Sequence, residues 1–121
     1  MSKKVLVVDD SGTMRTILTQ SLQMSGIGME MTQAQDGEDA LEKFKADTFE
    51  LVVTDINMPK MNGITLIQEI RKLNTDIPII VITTESKDAM KQEALSLGAT
   101  GWITKPFKPA QVITLVKEIF S

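Results

Sequence analysis

The sequence predicts a doubly wound α/β fold: a five-stranded parallel sheet in the order 2-1-3-4-5 with five helices. Three observations lead there. Short apolar runs rich in β-branched residues alternate with segments of helical period along the whole chain. Two of those runs, Val5–Val8 and Ile79–Ile82, are apolar at every position, as strands covered on both faces must be. A third, Met29–Ala34, alternates with polar residues and suits a sheet edge.

The predicted strands are Lys4–Val8, Met29–Ala34, Leu51–Thr54, Ile79–Thr83 and Gly101–Thr104. Between and after them, apolar residues recur at helical spacing. Met14, Ile17, Leu18 and Leu22 share one face of a first helix, and Ala40, Leu41 and Phe44 one face of a second. Ile64, Ile67 and Ile70 mark a third, Met90, Ala94 and Leu97 a fourth, and Val112, Leu115, Val116 and Ile119 a fifth. Gly26 and Gly98 stand where the first and fourth helices should stop, and Pro109 suits the opening turn of the fifth. Five successive βα units with right-handed crossovers give the flavodoxin-like strand order, whose crevice opens at the carboxyl ends of strands one and three.

Composition narrows the chemistry. The 121 residues are read as one domain, 1–121, and 42% of them are hydrophobic, enough for a core. The net charge of −3 favours neither nucleic acid nor an anionic membrane. No apolar run approaches a membrane span, and the run after Met1-Ser2-Lys3-Lys4 is too short for a signal peptide, so the chain is read as cytoplasmic and monomeric. With no Cys and no His, it lacks thiolate chemistry, the commonest general base and the commonest transition-metal ligand. Its chemistry must rest on carboxylates, hydroxyls, lysine and arginine.

The predicted carboxyl edge of the sheet collects such groups. Strand one ends in Asp9-Asp10, strand three in Asp55, strand four in Thr83-Thr84-Glu85, and strand five in Lys105-Pro106. Each has a plainer explanation alone: helix-end electrostatics, a turn acid, a β-forming threonine, a surface turn. Independent turn chemistry gives no reason for all of them to converge on one edge. Converging carboxylates repel and favour a cation, and a hard divalent ion with oxygen ligands, Mg²⁺, relieves that repulsion. Asp55 can then act as a carboxylate nucleophile toward phosphorus, with Lys105 and Thr83 meeting the phosphoryl oxygens.

The motifs Val-Val-Asp-Asp-Ser, Thr-Asp-Ile-Asn-Met-Pro with Asn62-Gly63, Thr83-Thr84 and Trp-Ile-Thr-Lys-Pro-Phe resemble the receiver domains of two-component response regulators, above all the single-domain chemotaxis receivers. The resemblance runs from Lys4 to Phe120. It implies that Asp55 is the phosphoacceptor. It implies Mg²⁺ ligation by Asp10, Asp55 and the backbone carbonyl of Asn57, with Asp9 acting through a metal-bound water. Thr83 would move to the phosphoryl group, Lys105 would pair with Asp55, and the Lys105–Pro106 peptide would be cis. Gly63 would serve a tight turn after strand three. Trp102 occupies the switch-aromatic position, where Tyr or Phe is usual. Asn57 and Glu85, two residues beyond Asp55 and Thr83, would flank the phosphoryl group and set its lifetime.

The implied phosphodonor is a histidine kinase. With no output module after Ser121, the implied output is docking of a protein such as the flagellar motor switch on the fourth helix, fifth strand and fifth helix, including Lys91 and Trp102. The chain itself is read as a phosphoacceptor that labels and unlabels itself, rather than an enzyme acting on others. A phosphate sink or phosphorelay intermediate shares all of this chemistry. Two remoter readings fit less well. An FMN phosphate would be repelled by Asp9-Asp10, and a dehalogenase-type phosphatase needs a second acid where Asn57 stands.

Overall fold

The computed structural model describes residues 2–121. Strands β1 (Lys3–Val8), β2 (Met29–Ala34), β3 (Leu51–Thr54), β4 (Ile79–Thr83) and β5 (Gly101–Thr104) alternate with helices α1 (Gly12–Gln23), α2 (Gly37–Ala46), α3 (Gly63–Leu73), α4 (Asp88–Ser96) and α5 (Pro109–Ile119). The strands pair in parallel in the order β2-β1-β3-β4-β5. β2 is the edge strand that its polar alternation predicts, and only Ala34 in it is buried.

Strand periodicity divides the core into two layers. Leu6, Val8, Val52, Ile79 and Val81 pack on one face with Ala40, Phe44, Leu66, Ile67, Ile70 and Ala94, from α2, α3 and α4. Val5, Val7, Leu51, Val53, Ile80 and Ile82 pack on the other with Leu18, Leu22, Val112 and Val116, from α1 and α5. Fully burying an aliphatic side chain of this size contributes about 1.5–3 kcal/mol, so the doubly covered strands carry much of the stability. Ile17 departs from the predicted pattern: it is 41% exposed, and Ser21 is buried with Leu18 and Leu22. The buried stripe of α1 is thus narrower than the run of apolar letters implies. The small Ser21 is satisfied by donating its hydroxyl to the Ile17 carbonyl, 2.9 Å away.

The ends of the helices follow local chemistry. Ser11, Asp36 and Asn62 cap α1, α2 and α3 by accepting from the amides of Met14, Asp39 and Thr65. Gly26 and Gly98 have φ of 78° and 95°, the left-handed conformation that lets a chain leave a helix without a Cβ clash. Helix α4 is the most lightly anchored, with Ala94 its only fully buried residue and no side-chain cap at Lys87. Its far end is held by Arg71, whose guanidinium donates to the carbonyls of Leu97 and Gly98 at 3.3 and 2.7 Å.

Gly63 opens α3 and fixes how closely that helix approaches β3. Its amide donates to the Ile56 carbonyl at 2.8 Å, and a Cβ there would lie 2.1 Å from the carbonyl oxygen of Asp55. The glycine therefore serves a close backbone approach. At Gly101 the obstruction is different: a Cβ would meet a terminal methyl of Leu115, which can rotate away. Gly63→Ala is expected to destabilise the fold by at least about 1–3 kcal/mol, and Gly101→Ala by clearly less. Urea unfolding of both variants checks the order, and equal stabilities would contradict the close-approach account.

Candidate functional site

The carboxyl edge of the sheet does gather the predicted groups. β1 delivers Asp9 and Asp10, β3 delivers Asp55, and one carboxylate oxygen from each lies within 4.8 Å of the others. Asp9 and Asp55 are buried, 1% and 6% exposed, whereas Asp10 faces solvent. The parallel register places these residues side by side, because Val8 pairs with Thr54 and each chain enters its loop at the next residue.

The Lys105 ammonium sits between two of the acids, 2.8 Å from Asp9 and 3.0 Å from Asp55. It arrives on the turn after β5, where its backbone amide donates to the Thr83 carbonyl at 2.7 Å and the Lys105–Pro106 peptide is cis. Burial alone would lower the lysine's pKa, but its two carboxylate partners outweigh burial and hold it above the usual lysine range. Burial pushes the Asp9 carboxyl up from its ordinary value, against the lowering pull of Lys105 and of the Ser11 amide. Two of the three carboxylates share that one ammonium, and Asp10 stands beside them without it. With all three ionised the cluster carries −3 + 1 = −2.

The remaining hydrogen bonds hold these groups in place. Asp55 accepts from the Ile56 amide through one oxygen at 2.6 Å and from Lys105 through the other. Its backbone carbonyl accepts from the Thr54 hydroxyl at 2.9 Å. Thr83 is fully buried, its hydroxyl accepting from the Glu85 amide at 3.1 Å, and it stands in register with Thr104 on β5. Trp102, in register with Val81, is half-buried against the α2–α3–α4 layer, while Ile103 packs in the opposite layer. Asn57 is exposed in the turn after Asp55, and Glu85 is half-buried at the start of the loop to α4.

Among protein families, that of the response regulator receiver domain matches residues 5–117. The chain belongs to this family. This receiver is 38% identical over 119 residues to the chemotaxis protein CheY of Thermotoga maritima, covering 98% of both chains. It is also 38% identical to the alkaline phosphatase synthesis transcriptional regulatory protein PhoP of Bacillus subtilis, covering 98% of this chain but only 49% of that one. The receiver thus spans about half the length of that transcriptional regulator. Among solved structures, the CheX–CheY–BeF3–Mg²⁺ complex of Borrelia burgdorferi superposes on it with a TM-score of 0.90 at 34% identity, over 98% of this chain and 90% of that one. Receivers are two-component signalling domains that accept a phosphoryl group from a histidine kinase and bind protein partners.

The family implies Mg²⁺ at an acidic pocket, and this donor set fits it: oxygen ligands only, clustered within 4.8 Å, with a net charge opposite to a divalent ion's. Lys105 bridging to Asp9 as well as Asp55 is the contact that residue spacing did not foretell. Asp10→Asn and Asp55→Asn are each expected to weaken Mg²⁺ binding by about tenfold or more, since each removes a charge from the cluster. Glu69→Gln, far from the cluster, should leave it unchanged. Calorimetric titration at physiological ionic strength measures all three, and unchanged affinity in both cluster variants would remove the proposed pocket.

Proposed function

We propose that the chain is a chemotaxis-type phosphorylation switch, taking a phosphoryl group on Asp55 from a histidine kinase and then docking a protein target. The observation that carries the phosphoacceptor reading is the position of Asp55: a buried carboxylate at the switch point of the sheet, held by Lys105 and beside Asp9 and Asp10. In the transfer, a carboxylate oxygen of Asp55 bonds to phosphorus as the phosphorus–nitrogen bond of the donor phosphohistidine breaks, and its electron pair leaves with the imidazole. Lys105, already charged and within 3.0 Å of Asp55, moves its contact from the carboxylate to the phosphoryl oxygens. The backbone amide of Ile56 orients the Asp55 carboxylate. Mg²⁺ held by Asp10, Asp55 and the Asn57 carbonyl, with Asp9 behind a bound water, would neutralise charge on the phosphoryl oxygens.

The chemotaxis assignment draws on the likeness to CheY of Thermotoga maritima, which extends over 98% of each chain. The match to PhoP favours a second reading, a receiver serving transcriptional control. A phosphate sink or relay intermediate would use the same chemistry without a motor target. In the chemotaxis reading the protein is cytoplasmic and its target docks on α4, β5 and α5, including Lys91 and Trp102. No helix among the described residues is long and apolar enough to cross a membrane.

Acetyl phosphate or phosphoramidate with Mg²⁺ is expected to add one base-labile phosphoryl group at Asp55, and Asp55→Asn to abolish it. Mass spectrometry that finds the group on Ser or Thr would refute the mechanism. Asn57 and Glu85 leave room for an in-line water, so the label should decay in seconds to minutes, as an order of magnitude. Bulky or basic residues at both positions should slow that decay, and a rate indifferent to both would contradict their role.

Switching requires contacts that differ between two states. Thr83 and Trp102 alternate with Ile82 and Ile103 on the α4 side of the sheet, so displacement of Thr83 toward Asp55 opens space that the indole borders. Beryllofluoride with Mg²⁺ should therefore change the emission of Trp102, the only tryptophan. Thr83→Ala should keep metal binding and blunt the change. An identical response in the two proteins would show that Thr83 does not link the site to the docking face.

A further inference from the structure

Among the described residues, Asp10 is the one carboxylate of the cluster whose side chain nothing holds. Asp9 and Asp55 are both pinned by Lys105, and Asp9 accepts from the Ser11 amide at 2.9 Å as well. Among the described residues, none hydrogen-bonds or ion-pairs with the exposed Asp10 carboxylate. What is fixed of its direction, the course of its Cα–Cβ bond, is set by its backbone. The peptide that leads into Asp10 carries the Asp9 carbonyl, and that carbonyl accepts from the Arg15 guanidinium at 2.6 Å. A peptide is planar, so holding the carbonyl oxygen fixes the plane from which Asp10 departs.

Arg15 is itself held. It lies in the first turn of α1 and curls back over the loop, and its Nε donates to the side chain of Gln33 on β2 at 3.0 Å. The Gln33 backbone carbonyl accepts from Lys43 on α2 at 2.6 Å, and Lys43 pairs with Asp39 at 3.0 Å. The Asp9 amide donates to the Ala34 carbonyl at 3.2 Å. One side chain thus ties the loop between β1 and α1 to the edge strand, and the edge strand to α2.

We infer that Arg15 is a positioning residue for Asp10, orienting a metal ligand through the Asp9–Asp10 peptide. This rests on the reading of Asp10 as a Mg²⁺ ligand. Coulomb's law makes the inference decidable, because the two possible roles of Arg15 have opposite signs. A cation near an acidic cluster repels Mg²⁺, so its removal for charge reasons alone would tighten binding. Removal of a positioning contact weakens binding, by about tenfold at the lower end of what outer partners of metal ligands contribute.

The test titrates Mg²⁺ into wild type, Arg15→Met, Arg15→Lys, Gln33→Ala, Asp10→Asn and the Arg15→Met/Asp10→Asn double variant. Arg15→Met should weaken binding about tenfold, Arg15→Lys should recover part of it, and Gln33→Ala should show a smaller loss in the same direction. In the Asp10→Asn background Arg15→Met should weaken binding no further, since the group it orients has gone and only the loss of a repelling cation remains. Without metal, the backbone order parameters of Asp10 and Ser11 should fall in Arg15→Met, a change that loss of charge alone would not produce. Gln33 lies on the exposed edge strand, so Gln33→Ala carries the test if Arg15→Met fails to fold. Unchanged or tighter binding in Arg15→Met, or full additivity with Asp10→Asn, overturns the role of Arg15 and leaves the metal site standing. Unchanged binding in Asp10→Asn overturns the metal site and the inference with it.

Discussion

One ammonium shared between two buried carboxylates, with a third acid beside them, is the constraint on which the rest of the structure turns. Lys105 satisfies Asp9 and Asp55 and leaves Asp10 to solvent. Gain or loss of one positive charge would change the molecule's character. Another lysine would close the pocket into a structural salt-bridge network with no affinity for a cation. Without Lys105, two buried carboxylates would face each other unpaired, a situation that proteins normally avoid by neutralising one of them. The pocket as it stands is stable enough to fold yet short of positive charge, and that shortage suits it to a divalent ion and a phosphoryl group.

The fold supplies this constraint with rigid supports. Asp9, Asp55, Thr83 and Lys105 all sit at or just beyond the ends of strands with two covered faces or, for β5, one strand removed from them. Support is sparser at α4. Helix α4 buries only Ala94 fully and lacks a side-chain cap at its start, beside the loop that carries Glu85. Its other end is tied to α3 by Arg71. Burial is therefore graded across the molecule, dense under the site and sparse along α4.

Much of this was legible in the sequence because it is written in local patterns. Four of the five strands begin and end as predicted, and β1 gains Lys3, whose amide finds the Gly28 carbonyl at 2.9 Å. The exposure of Ile17 was not legible, because apolar identity does not reveal how wide a stripe the opposing layer will cover. The second partner of Lys105 was hidden for another reason: Asp9 and Asp10 are adjacent letters, and only the backbone turn decides which one faces inward. Arg15 left no signal at all, since it reads as an ordinary charged residue in the first turn of a helix. Gly63 was read as serving a tight turn, but it opens α3 without a positive φ, and its constraint, the close Asp55 carbonyl, needed three dimensions.

The bond from Lys105 to Asp9 spans 96 residues of sequence, and that from Lys105 to Asp55 spans 50. A chain leaving the ribosome therefore exposes its acids long before their counter-charge exists. Until β5 docks, those acids lack the cation that holds two of them together. The pocket is therefore assembled late: a half-made copy would carry Asp55 without the lysine that pairs with it.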